Sequence, residues 1–516
     1  MTAATDNPAV ASTAQVDELL TAEDYLESLR DGRVIWLDGE KVDDVTAHPA
    51  FRNSARSIAR LYDALHEPAT REVMTTVDDL GIRTHRFFAP ARTSQDLVHA
   101  RDALVTWQRL GYGFLGRTPD YKAAFMAGLQ AAPDFYEPFA DNARAWYRRY
   151  ASKALFLNHV LINPPIDRSR PVHEMRDVFV HVERETDAGI IVSGAKMLAT
   201  GSALTHATFV AQNSAAQLEP GQAEDFALVF IAPMNTPGVS LVSRASYEQA
   251  ARSPFDHPLS SRFDENDAVI IFDNAFIPWE NVLVYRDVRK ATAFYPQSGF
   301  VNRYTLQAGV RMAVKLDFIS GLFELATRAN GTDSFRGVQA AVGEVVNWRN
   351  TVWGMTTAMC HDVQPHGADH VVPRLPYAAS MRQLMTTVWN RVHELLETNL
   401  GGAPIMTPSS VADLTHPELR PLLDRFYRGA SSTAEERIKL FKLVWDAMGT
   451  EFGGRHELYE ANYSGNQEQI RLDGRGWALR TGGMDAAIGL VEECLADYDT
   501  TGWTRGPWLP QRPAGV

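Results

Sequence analysis

The 516 residues carry 45% hydrophobic and 22% charged side chains, an ordinary globular balance with enough apolar material for two or three domains. A net charge of −13 disfavours nucleic acid or an anionic membrane as the main partner. No run approaches the ~20 apolar residues of a membrane span, residues 1–16 lack the basic-then-apolar order of a secretory signal, and the two cysteines, Cys360 and Cys494, exclude a disulfide framework or a cysteine metal site. A cytoplasmic protein is expected, with both cysteines as packing residues and no metal.

Residues 1–20 read as a disordered start. Thr21-Ala22-Glu23-Asp24 offers a cap for a short helix, and Asp31-Gly32 turns it into the apolar run Val34-Ile35-Trp36-Leu37. Apolar residues then recur at three- and four-residue spacing, as in 54–65, 94–110 and 121–129, which predicts an N-terminal helical domain over 21–165. The period changes to two where Val178, Val180 and Val182 alternate with Phe179 and His181. Strand-like runs at 190–192, 226–231, 239–242 and 269–272 follow, predicting a middle antiparallel β domain over 166–290.

Helical stripes return in Val310, Val314, Phe318 and Leu322, in Val338, Val342, Val345 and Val352, and in Met381, Leu384, Val388, Val392 and Leu395. Gly401-Gly402 stops the third, and Thr433-Ala434-Glu435-Glu436 is a capping-box candidate opening a fourth. A C-terminal four-helix bundle with its tail over 291–516 completes an α+β, mainly α, fold.

Gly111-Tyr112-Gly113-Phe114-Leu115-Gly116 matches the dinucleotide fingerprint by letter, but it follows a helical pattern where the fingerprint requires a strand. Its glycines are expected to let backbone pass close to a ligand or a neighbouring helix. His361, His366 and His370 fit no common ligand spacing, and Pro365 interrupts them, so a solvated interhelical loop is expected there. Trp348, Trp353 and Trp389 read as core.

Chemistry concentrates in two stretches. Arg117-Thr118-Pro119-Asp120-Tyr121 sets a permanent cation beside a phenol where helix gives way to loop, a pair able to hold a phenolate oxygen. His159-Val160-Leu161-Ile162-Asn163-Pro164-Pro165-Ile166-Asp167-Arg168 joins the helical to the β domain through a proline-stiffened loop, and clefts form at such junctions.

With these stretches, Ser253-Pro254-Phe255-Asp256-His257-Pro258-Leu259-Ser260-Ser261-Arg262, Phe276-Ile277-Pro278-Trp279-Glu280-Asn281-Val282 and Phe452-Gly453-Gly454-Arg455-His456-Glu457-Leu458-Tyr459, the chain resembles a known family from Tyr25 to about Leu472. The family is that of two-component flavin-dependent phenol monooxygenases, the large oxygenase component of 4-hydroxyphenylacetate 3-monooxygenases and chlorophenol 4-monooxygenases. The resemblance implies an acyl-CoA dehydrogenase-like fold, a homotetramer built as a dimer of dimers, FAD used as FADH2, O2, and a separate NAD(P)H-flavin reductase. In such enzymes reduced flavin and oxygen form a C4a-hydroperoxide, kept from water, whose distal oxygen attacks the ring ortho to the phenol oxygen.

Carried over by motif, Arg117, Tyr121 and His159 surround the substrate phenol. Arg117 lowers its pKa, Tyr121 donates a hydrogen bond, and His159 is the best general base, since an unperturbed imidazole titrates near pH ~6.5. His159, Val160, Leu161, Pro165, Ile166, Asp167 and Arg168 line the flavin. Leu198 falls where relatives carry a flavin-facing Thr, so a backbone group or Thr200 makes that contact here. Gln212-Asn213 approaches substrate in place of a smaller Ser-Thr, and Asn466, Gln467, Glu468 and Gln469 cover the cofactor, from the same or a neighbouring subunit.

Two relatives of this architecture compete. An acyl-CoA dehydrogenase needs a catalytic carboxylate near the bundle and is argued against by the motif set, and a 4-hydroxybutyryl-CoA dehydratase needs several cysteine ligands for its cluster. The Gln212-Asn213 pair and Ala293-Phe294-Tyr295-Pro296-Gln297-Ser298-Gly299-Phe300 point to a pocket unlike that of the hydroxyphenylacetate enzymes. The substrate expected is a substituted, for example chlorinated, tyrosine-like phenol tethered to a carrier protein in natural-product (antibiotic) biosynthesis. A free chlorophenol or 4-hydroxyphenylacetate is the alternative.

Overall fold

The computed structural model describes residues 18–167, 169–212 and 217–508. The expected disordered start lies, through residue 17, outside the described residues, and Leu19 is already packed in the core. Thr21 opens the helix Ala22–Ser28 by a capping box: its hydroxyl accepts the Asp24 N–H and the Asp24 carboxylate accepts the Thr21 N–H. Thr93 and Asp96 repeat the device for Ser94–Leu110, which turns Leu97, Ala100, Leu104 and Trp107 inward. Pro119, whose missing N–H costs nothing at a helix start, opens Pro119–Ala131, a helix buried over nearly its whole length.

Two sheets form the middle of the molecule. One runs in the order Glu40–Lys41, Val34–Leu37, Val239–Ser243, Ala268–Pro278, Gly189–Lys196 and His181–Thr186; the other runs Val282–Tyr285, Leu228–Pro233, Ala207–Val210 and Leu157–Val160. Most pairings are antiparallel, as expected, but two are parallel: Ile35 lies opposite Leu241, and His159 opposite Phe209. Both parallel strands precede residue 166 and reach their partners through the long connections that a parallel pair requires. The second of them carries His159 from the helical layer into the sheet.

The C-terminal helices Phe300–Asn330, Arg336–His361, Leu375–Leu400 and Ala434–Met448 follow the four predicted stripes. Gly401, at φ +55°, ends the third, and Thr433 and Glu436 form the predicted capping box. Trp389 is buried, while Trp348 and Trp353 pack against the core from its margin. Two expectations are corrected. The segment 361–370 includes the turn of a β-hairpin, Val363–His366 with His370–Pro373, because Gly367 at φ +68° turns the chain against the backbone of Ala131. Cys360 is buried, but Cys494 is exposed on a late helix and packs nothing inside. No helix among the described residues is long and apolar enough to cross a membrane.

Candidate active site

The turn 111–116 has helix on both sides, so the glycine pattern builds close packing and no nucleotide cradle. A Cβ on Gly113, at φ +75°, would stand 2.6 Å from the backbone nitrogen of Lys315, and one on Gly116 would stand 2.3 Å from the Tyr459 hydroxyl. Arg311 adds a hydrogen bond of 3.1 Å to the Gly113 carbonyl. Gly113→Ala is expected to destabilise the protein by about 1–3 kcal/mol from left-handed strain alone, read as a lower thermal midpoint. An unchanged midpoint would rule out so close an approach.

This packing delivers Arg117 to a buried position. Its backbone N–H donates to Glu265, and its guanidinium carbon lies 4.0 Å from the Tyr121 ring centroid, 5.2 Å from that of Tyr459 and 5.5 Å from that of Tyr463. Burial opposes its charge, but Tyr121, Tyr459 and Glu265 more than offset that, and the cation persists. Tyr121 is held as the phenol by burial. The His159 ring lies parallel to Tyr121 at 5.6 Å and 5.1 Å from Phe125. Burial first, then the charges of Lys122 and Arg117, hold its proton affinity well below that of an ordinary imidazole, so His159 is neutral.

Arg117 Nη1, His159 Nδ1 and the Tyr459 hydroxyl are buried without a hydrogen-bond partner among the described residues. Buried polar atoms are rarely left so, and three in one cluster mark a site that a ligand completes. The stretch 293–300 supplies the adjoining wall: Phe300 stacks on Phe125 at 3.8 Å, Phe294 lies behind them, and Tyr295 meets the Tyr304 hydroxyl at 3.2 Å.

A bridge between Ile162 and Met197 brings the loop after His159 alongside Leu198. Lys196 Nζ reaches the carbonyls of Leu161 and Ala211. Val160 and Leu161 are buried, while Pro165 and Asp167 are exposed, the Asp167 carboxylate accepting from Ser169. Ile166 and Leu198, the latter at φ +60°, expose 65% and 54% of their surface, and Asn163 Oδ1 lacks a partner. Two exposed apolar side chains beside an unpartnered amide oxygen fit a flat heteroaromatic group such as FAD's isoalloxazine ring.

Thr200 donates its hydroxyl hydrogen to Asp267 at 2.5 Å, which leaves its oxygen only as an acceptor. Gln212 departs from expectation. Its Oε1 accepts from Lys196 at 3.0 Å and its Nε2 donates to the Phe226 carbonyl at 2.8 Å, so the amide is anchored to the fold at both ends. Asn213 and Arg168 lie outside the described residues. Asn466 caps the helix Gln467–Arg480 by accepting from the backbone of Glu468 and Gln469, and Gln469 donates to Asp473. Asn466, Gln467 and Glu468 are exposed, a few residues beyond Tyr463.

Several residues of the site escaped the sequence reading. Glu265 holds the Arg117 backbone and pairs with Arg455, which also grips Asp267 in a bidentate pair at 3.1 and 3.0 Å. Burial works against the Asp267 charge, but Arg455 and Arg244 hold its carboxyl down to about 2. Burial pushes Asp120 up to about 6 even though Thr118, Gln108 and Gln307 donate to it, and it ties the start of its helix to two neighbours. Lys122, Tyr459 and Tyr463 complete the surroundings. Arg455 and Tyr459 fall inside a motif that the resemblance singled out; Glu265 and Lys122 had no local signal.

Comparison with known proteins places the chain in a family. Residues 21–284 match the family described as 4-hydroxyphenylacetate 3-hydroxylase N terminal, and residues 291–494 match its C-terminal counterpart. The pyoverdin chromophore biosynthetic protein of Pseudomonas aeruginosa is 59% identical over 490 residues, covering 95% of this chain and 98% of that one. The (3S)-3-amino-3-(3-chloro-4-hydroxyphenyl)propanoyl-[peptidyl-carrier protein] monooxygenase of Streptomyces globisporus is 47% identical, covering 94% and 92%. The crystal structure of a 4-hydroxyphenylacetate 3-monooxygenase oxygenase component complexed with FAD and 4-hydroxyphenylacetate superposes with a TM-score of 0.87 at 31% identity, over 92% of this chain and 99% of that one. Matched over both halves and sharing the fold throughout, the chain belongs to the 4-hydroxyphenylacetate 3-hydroxylase family.

Proposed function

We propose that the protein is the oxygenase component of a two-component phenol monooxygenase that ortho-hydroxylates a substituted tyrosine-like phenol carried on a carrier protein, as a homotetramer served by a separate NAD(P)H-flavin reductase. The observation that carries the reading is the buried Arg117 cation facing Tyr121, Tyr459 and Tyr463, beside the unpartnered His159 and Tyr459 atoms. Reduced FAD, when bound, supplies the electrons that activate O2 for transfer of one oxygen atom to the ring.

The protein's own residues prepare the acceptor. Arg117 favours the ionised phenol, because a fixed positive charge in a site of low polarity stabilises the phenolate, which is the more electron-rich ring. Tyr121, kept protonated by burial, donates to the phenol oxygen, and neutral His159 accepts from the phenol O–H or a nearby water. The aromatic wall of Phe125, Phe294 and Phe300 excludes water and fixes the ring plane. Val160, Leu161, Asn163, Pro165, Ile166 and Leu198 would hold FAD. Leu198 has no hydroxyl to offer the flavin and the Thr200 hydrogen is committed to Asp267, so a backbone group fills that role.

A carrier-bound substrate is favoured over a free phenol by the likeness to the Streptomyces enzyme, named for a carrier-bound chlorohydroxyphenyl group, and by the stretch 293–300 lying in the pocket wall. The test supplies reductase, NADH and FAD with 3-chlorotyrosine-type phenols, free and carrier-loaded, and with 4-hydroxyphenylacetate. The expected product is the catechol, formed faster on the carrier. Equal turnover of free and loaded phenols would remove the carrier, and absence of any catechol would remove the oxygenase reading. His159→Ala is expected to retain FAD binding, measured by fluorescence quenching, and to lose productive hydroxylation; wild-type catechol yield would exclude a role for the imidazole.

A further inference from the structure

Lys122 follows Tyr121 on the helix Pro119–Ala131 and is 2% exposed. Its ammonium nitrogen lies 4.2 Å from the centroid of the Tyr121 ring, which the Arg117 guanidinium also approaches at 4.0 Å. Among the described residues it donates no hydrogen bond and makes no ion pair; Glu265 and Asp120 act on it only from a distance. A cationic side chain only 2% exposed, with no acceptor among the described residues and beside the Arg117 charge, is unfavourable for folding. Such a group persists where a ligand completes it, and it adjoins the unpartnered Arg117 Nη1, His159 Nδ1 and Tyr459 hydroxyl.

Building on the phenol-oxygenase reading, we propose that Lys122 is a further catalytic group of the site, whose amine takes the proton of the bound phenol and, as the ammonium, stands with Arg117 against the phenolate. The phenol O–H bond breaks, its electron pair stays on oxygen, and the proton forms the third N–H of the Lys122 ammonium. No net charge enters or leaves the cavity. Burial and the Arg117 charge depress the proton affinity of the amine, so it can arrive neutral, while the new anion restores that affinity as it forms. His159, held down first by burial and then by neighbouring positive charge, is the poorer proton holder and serves as a neutral partner. The remaining ionisable groups around the pair are Glu265, Asp120, Tyr121, Tyr304, Tyr459 and Tyr463.

The test titrates 4-nitrophenol, whose phenolate is coloured, on the FAD-saturated protein. In the wild type the bound phenol should ionise at lower pH than the free one. Lys122→Met should raise the bound midpoint by about one pH unit or more, a tenfold loss of acidity, and Lys122→Arg should stay near wild type. Lys122→Met should also melt no lower than the wild type, since it removes a positive charge that has no acceptor among the described residues. A Lys122→Met protein that titrates like wild type while Arg117→Met shifts would overturn the role of Lys122 and leave the phenol site standing. A melting midpoint well below wild type would make Lys122 structural and overturn it equally. A wild type that leaves the ionisation of nitrophenol unchanged would overturn both readings.

Discussion

Arg117→Met is expected to lower kcat/KM for hydroxylation by at least about 100-fold, since an opposite charge at this range shifts a phenol by about 1–3 pKa units and removing a single preorganised charge costs about 100- to 1000-fold elsewhere. Glu265 holds the backbone of residue 117, not its side chain, so the turn and the helix beyond it keep their places. FAD affinity should therefore survive, and the electrons from NADH should emerge as hydrogen peroxide in place of catechol. The pH profile fixes the cause. Without the cation the bound phenol ionises at higher pH, so the alkaline limb of the rate moves toward the pKa of the free phenol and the defect shrinks there. A defect constant across pH would assign Arg117 to binding geometry. Arg117→Lys should recover only part of the rate, because a point charge cannot lie flat over Tyr121 at 4.0 Å as the planar guanidinium does.

What the sequence revealed divides along the range of the forces involved. The capping boxes at Thr21 and Thr433, the apolar stripes of the bundle and the stop at Gly401 depend on neighbours within a few residues, and each appears where its pattern placed it. Strand partners do not work that way. Val34–Leu37 reads as a short apolar run, and nothing local says that its mate is Val239–Ser243, some two hundred residues on and parallel to it. The site follows the same rule. Arg117, Tyr121 and His159 were legible as motif residues, and the fold stacks the His159 ring on Tyr121. Lys122 and Glu265 acquire meaning only from what the tertiary structure sets around them, an aromatic face in one case and a backbone amide in the other. Gln212, expected from the resemblance to approach substrate, is held at both ends by Lys196 and the Phe226 carbonyl, contacts that no local pattern announces.

Glu460→Gln is expected to cost about 3–5 kcal/mol of stability, the loss that follows when one member of a buried ion cluster is removed and the rest are left uncompensated. Arg311 meets the Glu460 carboxylate with two contacts of 2.6 Å and Lys315 with one of 2.9 Å, and the three side chains are 0–1% exposed. Glutamine keeps the shape and leaves two buried cations facing an amide. Burial alone would raise the Glu460 carboxyl, but Arg311 and Lys315 hold it down to about 2, against an ordinary value of 4.5. A carboxyl with a depressed folded-state pKa contributes its full stability above that ordinary value and loses it as pH falls toward about 2. The wild type should therefore weaken across that acid window, and the glutamine variant, less stable at neutral pH, should show a shallower decline there, both read from denaturant midpoints. Parallel acid limbs would show that Glu460 is not the titrating group. Because Arg311 also holds the Gly113 carbonyl, the damage should reach the turn that presents Arg117, and phenol binding should weaken with stability. Adding Lys315→Met, which removes one of the stranded cations from its place over Phe114 and Trp389, should return part of the stability; a purely additive second loss would mean that the cluster acts through packing and not through charge.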